Sequence, residues 1–198
     1  RGDLLAVGDY EGFISIFDED GNILKKVDTG QRSIIGLDWH PNENIIAAVG
    51  EEITLYHYES GNLKSIVDRN EEIEVLMLCV AWHPSGDFIA TGDYGDFEQG
   101  YPTLLQYWTS YGEKIKSIEE SKAEYRNLKW SSDGELLATA SEKIRLWNRD
   151  GELVKEEISE DLLWGIDWNQ DDTKIVGTDA IGNIIFWNRE LDEIAQIK

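Results

Sequence analysis

Apolar residues run along this chain in groups of four to seven, rich in Ile, Leu, Val and aromatics, and the groups are separated by Gly, Asp, Asn or Ser. Such punctuation predicts short strands joined by tight hairpins. The three-to-four spacing of an amphipathic helix is absent. One stretch shows the plan. "YRNLKW" (125–130) leads through "SSDG" to "ELLATA" (135–140), then to "KIRLWN" (143–148), the turn "RDG" and "ELVKEEI" (152–158). Four strands in succession, each reversing onto the last, predict an antiparallel meander.

The meander recurs. "IGLDWHPNENIIAAVG" (35–50) is echoed by "LCVAWHPSGDFIATGD" (78–93). The aromatic closing each unit's first apolar run falls at Trp39, Trp82, Trp130 and Trp168, spaced 43, 48 and 38 residues apart. A second series, Phe17, Tyr56, Trp108, Trp147 and Trp187, closes a later run at spacings of 39, 52, 39 and 40. Two anchors with one period of about 40 residues identify four-stranded propeller blades, whose faces are buried against their neighbours. The predicted fold is all-β: a single β-propeller domain or fragment over residues 1–198, with four complete blades (34–67, 75–118, 125–158 and 163–198) and a partial one (1–28) lacking its first strand.

The blade pattern resembles the WD-repeat family, whose units carry a Gly-His pair before the first strand and a Trp-Asp pair closing the third. The frame matches over nearly the whole chain, but the signature pairs do not. Trp-Asp becomes Trp147-Asn148, Trp187-Asn188, Trp108-Thr109, Phe17-Asp18 and Tyr56-His57, and the histidine position holds Gln31, Glu74, Lys122 and Glu160. The family's second-strand hydroxyl survives as Thr91 and Thr139, while Glu11 and Ile181 replace its hairpin Asp. The resemblance therefore implies blades held by apolar packing rather than by the family's polar network.

The opening "RGDLLAVGDYEG" aligns with "SGDFIATGDYG" (85–95), so residue 1 falls in a hairpin just after a first strand. Three readings follow: part of a longer propeller, of seven blades as is usual in the family; a five-blade ring with one incomplete blade; or an arc that closes as a homo-oligomer with a second chain. Bare blade faces in an open arc would exceed the apolar patches that monomers usually expose.

Charge narrows the function. Forty Asp and Glu against 18 Lys and Arg give a net charge of −22. Such a surface disfavours nucleic acid and anionic membrane. A lone cysteine, Cys79, sits in an apolar run and reads as a buried thiol in a cytoplasmic protein. His40 and His83 occupy the same turn in successive units, which suits turn stabilisation better than a shared metal. "DEDGN" (18–22) lacks the distal bidentate Glu of a calcium loop. No catalytic, cofactor-binding or metal-binding residue is predicted. The competing class is a propeller enzyme, or a sugar- or ion-binding module, using carboxylates near the central channel.

One departure from the repeat points to a binding face. About ten extra residues lie between the second and third strands of the unit 75–118, in "GDYGDFEQGYPTLLQYW" (92–108). They bring Tyr94, Phe97 and Tyr101, which either anchor a partner or fold back over their own blade. By resemblance, the same face carries Arg32, Glu72, Glu74, Lys122, Arg126, Asp161 and Trp164. The expected function is a non-enzymatic interaction scaffold whose protein or peptide partner carries basic residues.

Overall fold

The computed structural model describes residues 3–66 and 75–198, with nineteen strands and no helix among them. The first sheet holds three strands, Leu5–Gly8 (β1), Phe13–Phe17 (β2) and Ile23–Asp28 (β3). Four four-stranded sheets follow. Gly36–Trp39 (β4), Ile45–Val49 (β5), Ile53–His57 (β6) and Leu63–Ile66 (β7) form the second. Met77–Trp82 (β8), Phe88–Asp93 (β9), Leu105–Thr109 (β10) and Lys114–Ile118 (β11) form the third. Asn127–Trp130 (β12), Leu136–Ala140 (β13), Lys143–Asn148 (β14) and Leu153–Ile158 (β15) form the fourth. The last contains Leu163–Trp168 (β16), Lys174–Asp179 (β17), Ile184–Asn188 (β18) and Glu193–Ile197 (β19). Within each sheet, strands adjacent in sequence pair antiparallel, as a meander requires.

Register explains the two aromatic series. In blade four Trp130 and Trp147 both oppose Leu137, and in blade five Trp168 and Trp187 both oppose Ile175. Trp39 and Tyr56 meet on Ile46, and Trp82 and Trp108 on Ile89. Each four-stranded blade thus sets one aliphatic side chain between two aromatics on the same face. The cores lie between blades. Ala47 of the second blade clusters with Trp82 and Trp108 of the third, and Ala138 of the fourth with Trp187 of the fifth. A small residue on one sheet makes room for the indole of the next.

The inner strands run side by side, β4 against β8, β8 against β12 and β12 against β16. The ring is not shown closed. Leu5, opposite Phe17, is 61% exposed, whereas its counterparts Ile46, Ile89, Leu137 and Ile175 are all at 0%.

Polar staples supplement the apolar junctions. Outer-strand lysines at one register position reach forward to the next blade. Lys25 donates to the Tyr58 carbonyl, Lys64 to the Tyr111 carbonyl at 2.5 Å, and Lys116 to those of Asp150 and Gly151 at 3.0 and 2.8 Å. Lys155 pairs with Asp192 at 3.0 Å; blade five has Ala195 at this register position. A second set lies at the first hairpins. His40 Nδ1 accepts from the Asn42 and Glu43 N–H groups, and Nε2 donates to Gly86 O of the following blade at 3.1 Å. His83 repeats the link to Gly134 O at 2.9 Å. Both imidazoles thus act in their turns, as the sequence predicted, and also bridge blades.

The structure corrects the expectation that packing alone holds the blades. Trp108 and Trp147 each donate Nε1–H to Thr91 and Thr139, both at 3.0 Å. Gln31, at the histidine position, donates to Thr54 Oγ1 at 2.9 Å and accepts the Glu52 N–H. The hairpin aspartate is also present, two positions earlier than the sequence alignment put it. Asp9 Oδ1 accepts from Phe13 N–H, and Asp179 Oδ1 from Asn183 N–H. After the third-strand aromatic, an acceptor side chain matters more than an aspartate. Asp18, Thr109, Asn148 and Asn188 each accept the N–H four residues on, at 2.8–3.0 Å. Asp18 is therefore a turn cap.

Candidate functional site

The loops before the inner strands carry most of the predicted face. Glu72 and Glu74 lie outside the described residues. The other candidates divide into three groups.

The first group is a contact pair. Trp164 is the second residue of β16 and Arg126 immediately precedes β12; both lie four residues before their inner-strand tryptophan. The Arg126 guanidinium stacks on the Trp164 ring, 4.6 Å from its centroid. Glu124 Oε1 fixes that guanidinium with hydrogen bonds of 3.1 and 2.6 Å from Nε and Nη2. Trp164 nevertheless remains 52% exposed, a large ring displayed on a rigid inner strand. At the same repeat position stand Ile35 and Leu78, both half-buried. Sequence reasoning missed these two and Glu124, although the spacing to Trp39 and Trp82 contained the signal for the first two.

A network around buried Arg145 anchors the loop that leads to Arg126. Arg145, only 1% exposed, pairs with Glu142 and with Glu156. Glu142 also accepts from Ser121 Oγ at 2.6 Å and from the Lys122 N–H at 3.3 Å, tying the loop ahead of Arg126 to the sheet. Burial works to raise the Glu142 carboxyl, but hydrogen bonds from Arg145, Ser121 and Ser141 outweigh it and hold it at about 2. Lys122 itself points its side chain to solvent.

The second group is the insertion between β9 and β10. Asp96 and Tyr101 bridge to form a miniature hairpin, and the Tyr94 N–H reaches Leu76 O beside the start of β8. Asp93 Oδ1 holds both ends, accepting from Gly95 N–H at 3.1 Å and Leu104 N–H at 2.8 Å. Phe97 is 56% exposed and Tyr94 37%, while Tyr101 is half-buried. Thus the rings divide between display and folding back.

Arg32 and Asp161 form the third group. Arg32 pairs with Glu51 at 3.1 Å, and Asp161 Oδ1 accepts the Leu162 N–H. Arg32 is thus tied to the β5–β6 hairpin, and Asp161 to its own loop.

Cys79 is buried, with its Sγ 3.3 Å from Tyr125 O, and burial pushes its thiol well above the usual range. Among the described residues no group of three His, Cys, Asp or Glu side chains is placed to hold a metal ion. No helix of the described residues is long and apolar enough to cross a membrane.

The site and blades stand beside one recognised family. The model of the family described as eukaryotic translation initiation factor eIF2A matches residues 33–166, more than half of the chain and the whole of blades two to four as described. No curated protein matches the chain. The likeness to WD-repeat proteins lies in the blade architecture.

Proposed function

The chain belongs to the eukaryotic translation initiation factor eIF2A family, and from that premise we propose that it is a non-enzymatic interaction scaffold acting in translation initiation in the cytoplasm. The observation that carries this reading is the Arg126–Trp164 pair, an exposed indole braced by a guanidinium that Glu124 fixes in turn. Such an anchor is ordered before any partner arrives, so little side-chain entropy is lost on binding. The partner is a protein or peptide with basic residues, drawn to a molecule of net charge −22. Screening over about 8 Å at physiological salt confines that attraction to encounter and orientation.

Gradient sedimentation of a cell extract containing the tagged chain tests the proposal. The wild-type chain should co-migrate with initiation complexes, and Trp164→Ala should move to the top of the gradient while keeping its melting temperature. Identical profiles for the two, or a wild-type chain confined to the top, would overturn it.

A further inference from the structure

A slot opens at the junction of blades three and four, on the side of the outer strands. Phe88 and Tyr107 line it from β9 and β10, Ile115 and Lys116 from β11, and Arg149 and Asp150 from the turn between β14 and β15. Its volume is about 190 Å³. Drug-sized ligands need about 300 Å³ or more, whereas about 150 Å³ of apolar space holds a benzene ring. The lining departs from the repeat at Tyr107, which lies opposite Lys116. Ile16, Leu55, Leu146 and Phe186 take that register position in the other blades, opposite Lys25, Lys64, Lys155 and Ala195. Four blades thus place a hydrocarbon where blade three places a phenol. The Tyr107 hydroxyl is buried and has no hydrogen-bond partner, a costly group to keep where Leu or Phe would pack. Two cations flank the slot, and neither is paired with a carboxylate. Arg149 is exposed and makes no hydrogen bond or ion pair among the described residues. Lys116 donates to the neutral carbonyls of Asp150 and Gly151. Against these two cations the lining holds one carboxylate, Asp150, so the slot is locally positive in a chain of net charge −22.

We infer that this slot binds a small monocarboxylate with a single-ring apolar body, of which benzoate is the simplest example. The ring lies against Phe88, Ile115 and the Tyr107 ring, and the carboxylate accepts from Arg149 and from the Tyr107 hydroxyl. Ile115, 57% exposed, and the exposed Arg149 side chain are free to re-orient as the ring enters, which gives the ligand a path to that hydroxyl. A second negative charge on the ligand is disfavoured by Asp150 and by the net charge of the chain. The site stands apart from the Arg126–Trp164 pair and does not depend on it.

The test titrates the whole 15N-labelled chain with three probes of one shape: benzoate, benzamide and benzylamine. Benzoate should shift the amides of Tyr107, Ile115 and Asp150, with Kd on the order of 1 mM. Benzamide should bind about tenfold more weakly, and benzylamine should leave those amides in place. Arg149→Gln, at an exposed position, should weaken benzoate by about fivefold. Tyr107→Phe should weaken it by about threefold while the melting temperature holds or rises, because the substitution removes an unpaired hydroxyl. Benzamide binding as tightly as benzoate, unchanged benzoate affinity in either variant, or shifts mapping elsewhere would overturn the inference. So would a lower melting temperature for Tyr107→Phe, which would mean that a water already satisfies the hydroxyl.

Discussion

The fourth residue after each inner-strand tryptophan shows how neighbouring blades settle one gap. Gly86 and Gly134 have φ of +81° and +73°, and a Cβ there would lie 2.4 and 2.6 Å from the imidazoles of His40 and His83. At the next junction Ser131 replaces the histidine. Asp172 then occupies the glycine's place at φ 55°, with its carboxylate on the Ser132 N–H and hydroxyl at 2.9 and 2.6 Å. A residue pair is exchanged, and the link between blades persists. His83 must stay neutral to keep Nδ1 as an acceptor for the Ser85 N–H, and burial depresses its pKa below the ordinary 6.5. Its contribution is therefore full above that value and lost as pH falls below it toward the depressed folded value. Melting curves should show a stability loss between pH 7 and 5 that His83→Asn reduces. Glu142 offers a second test, since removing it strips a partner from nearly fully buried Arg145. Glu142→Gln should cost about 3 kcal/mol in urea unfolding. Because the folded carboxyl titrates at about 2 against 4.5, the wild type should lose that advantage as pH drops below 4.5, and the two proteins should converge in acid.

At the scale of the element, the outer strands act as fasteners as well as edges. Lys116 lies on β11 and donates to two carbonyls of blade four. Lys116→Met keeps the alkyl stem and removes the charge. It should lower stability by about 1 kcal/mol and speed hydrogen exchange at the amides of Asp150 and Gly151 before those of other blades. The strands were legible because alternation and turn chemistry are local properties, and the paired tryptophans fixed the register that β12 and β14 share across Leu137. The lysines escaped notice because their role depends on what the next blade places opposite. The hairpin aspartates were misplaced for a related reason. Asp9 and Asp179 act from strand ends, two residues before Glu11 and Ile181, where the family's repeat frame placed the role. At the candidate site, Trp164 stood out as the tryptophan outside both series, whereas its stacking on Arg126 required two blades to be brought together.

Over the whole molecule, electrostatic repulsion opposes compactness. With a net charge of −22, the folded chain concentrates like charge that the unfolded chain spreads out. Raising ionic strength from about 10 mM to about 150 mM shortens the screening length from about 30 Å to about 8 Å. The melting temperature should rise over that interval, and a flat or falling response would show that the lysine staples, which salt also weakens, dominate. Those staples have one more property. The lysine and histidine fasteners are supplied by the earlier blade and received by the later one: Lys25 before Tyr58, His40 before Gly86, Lys116 before Asp150. During synthesis at about 5–20 residues per second, a completed blade presents its donors while the next is still emerging. Assembly thus acquires a direction in time, with each blade serving as the template on which its successor closes.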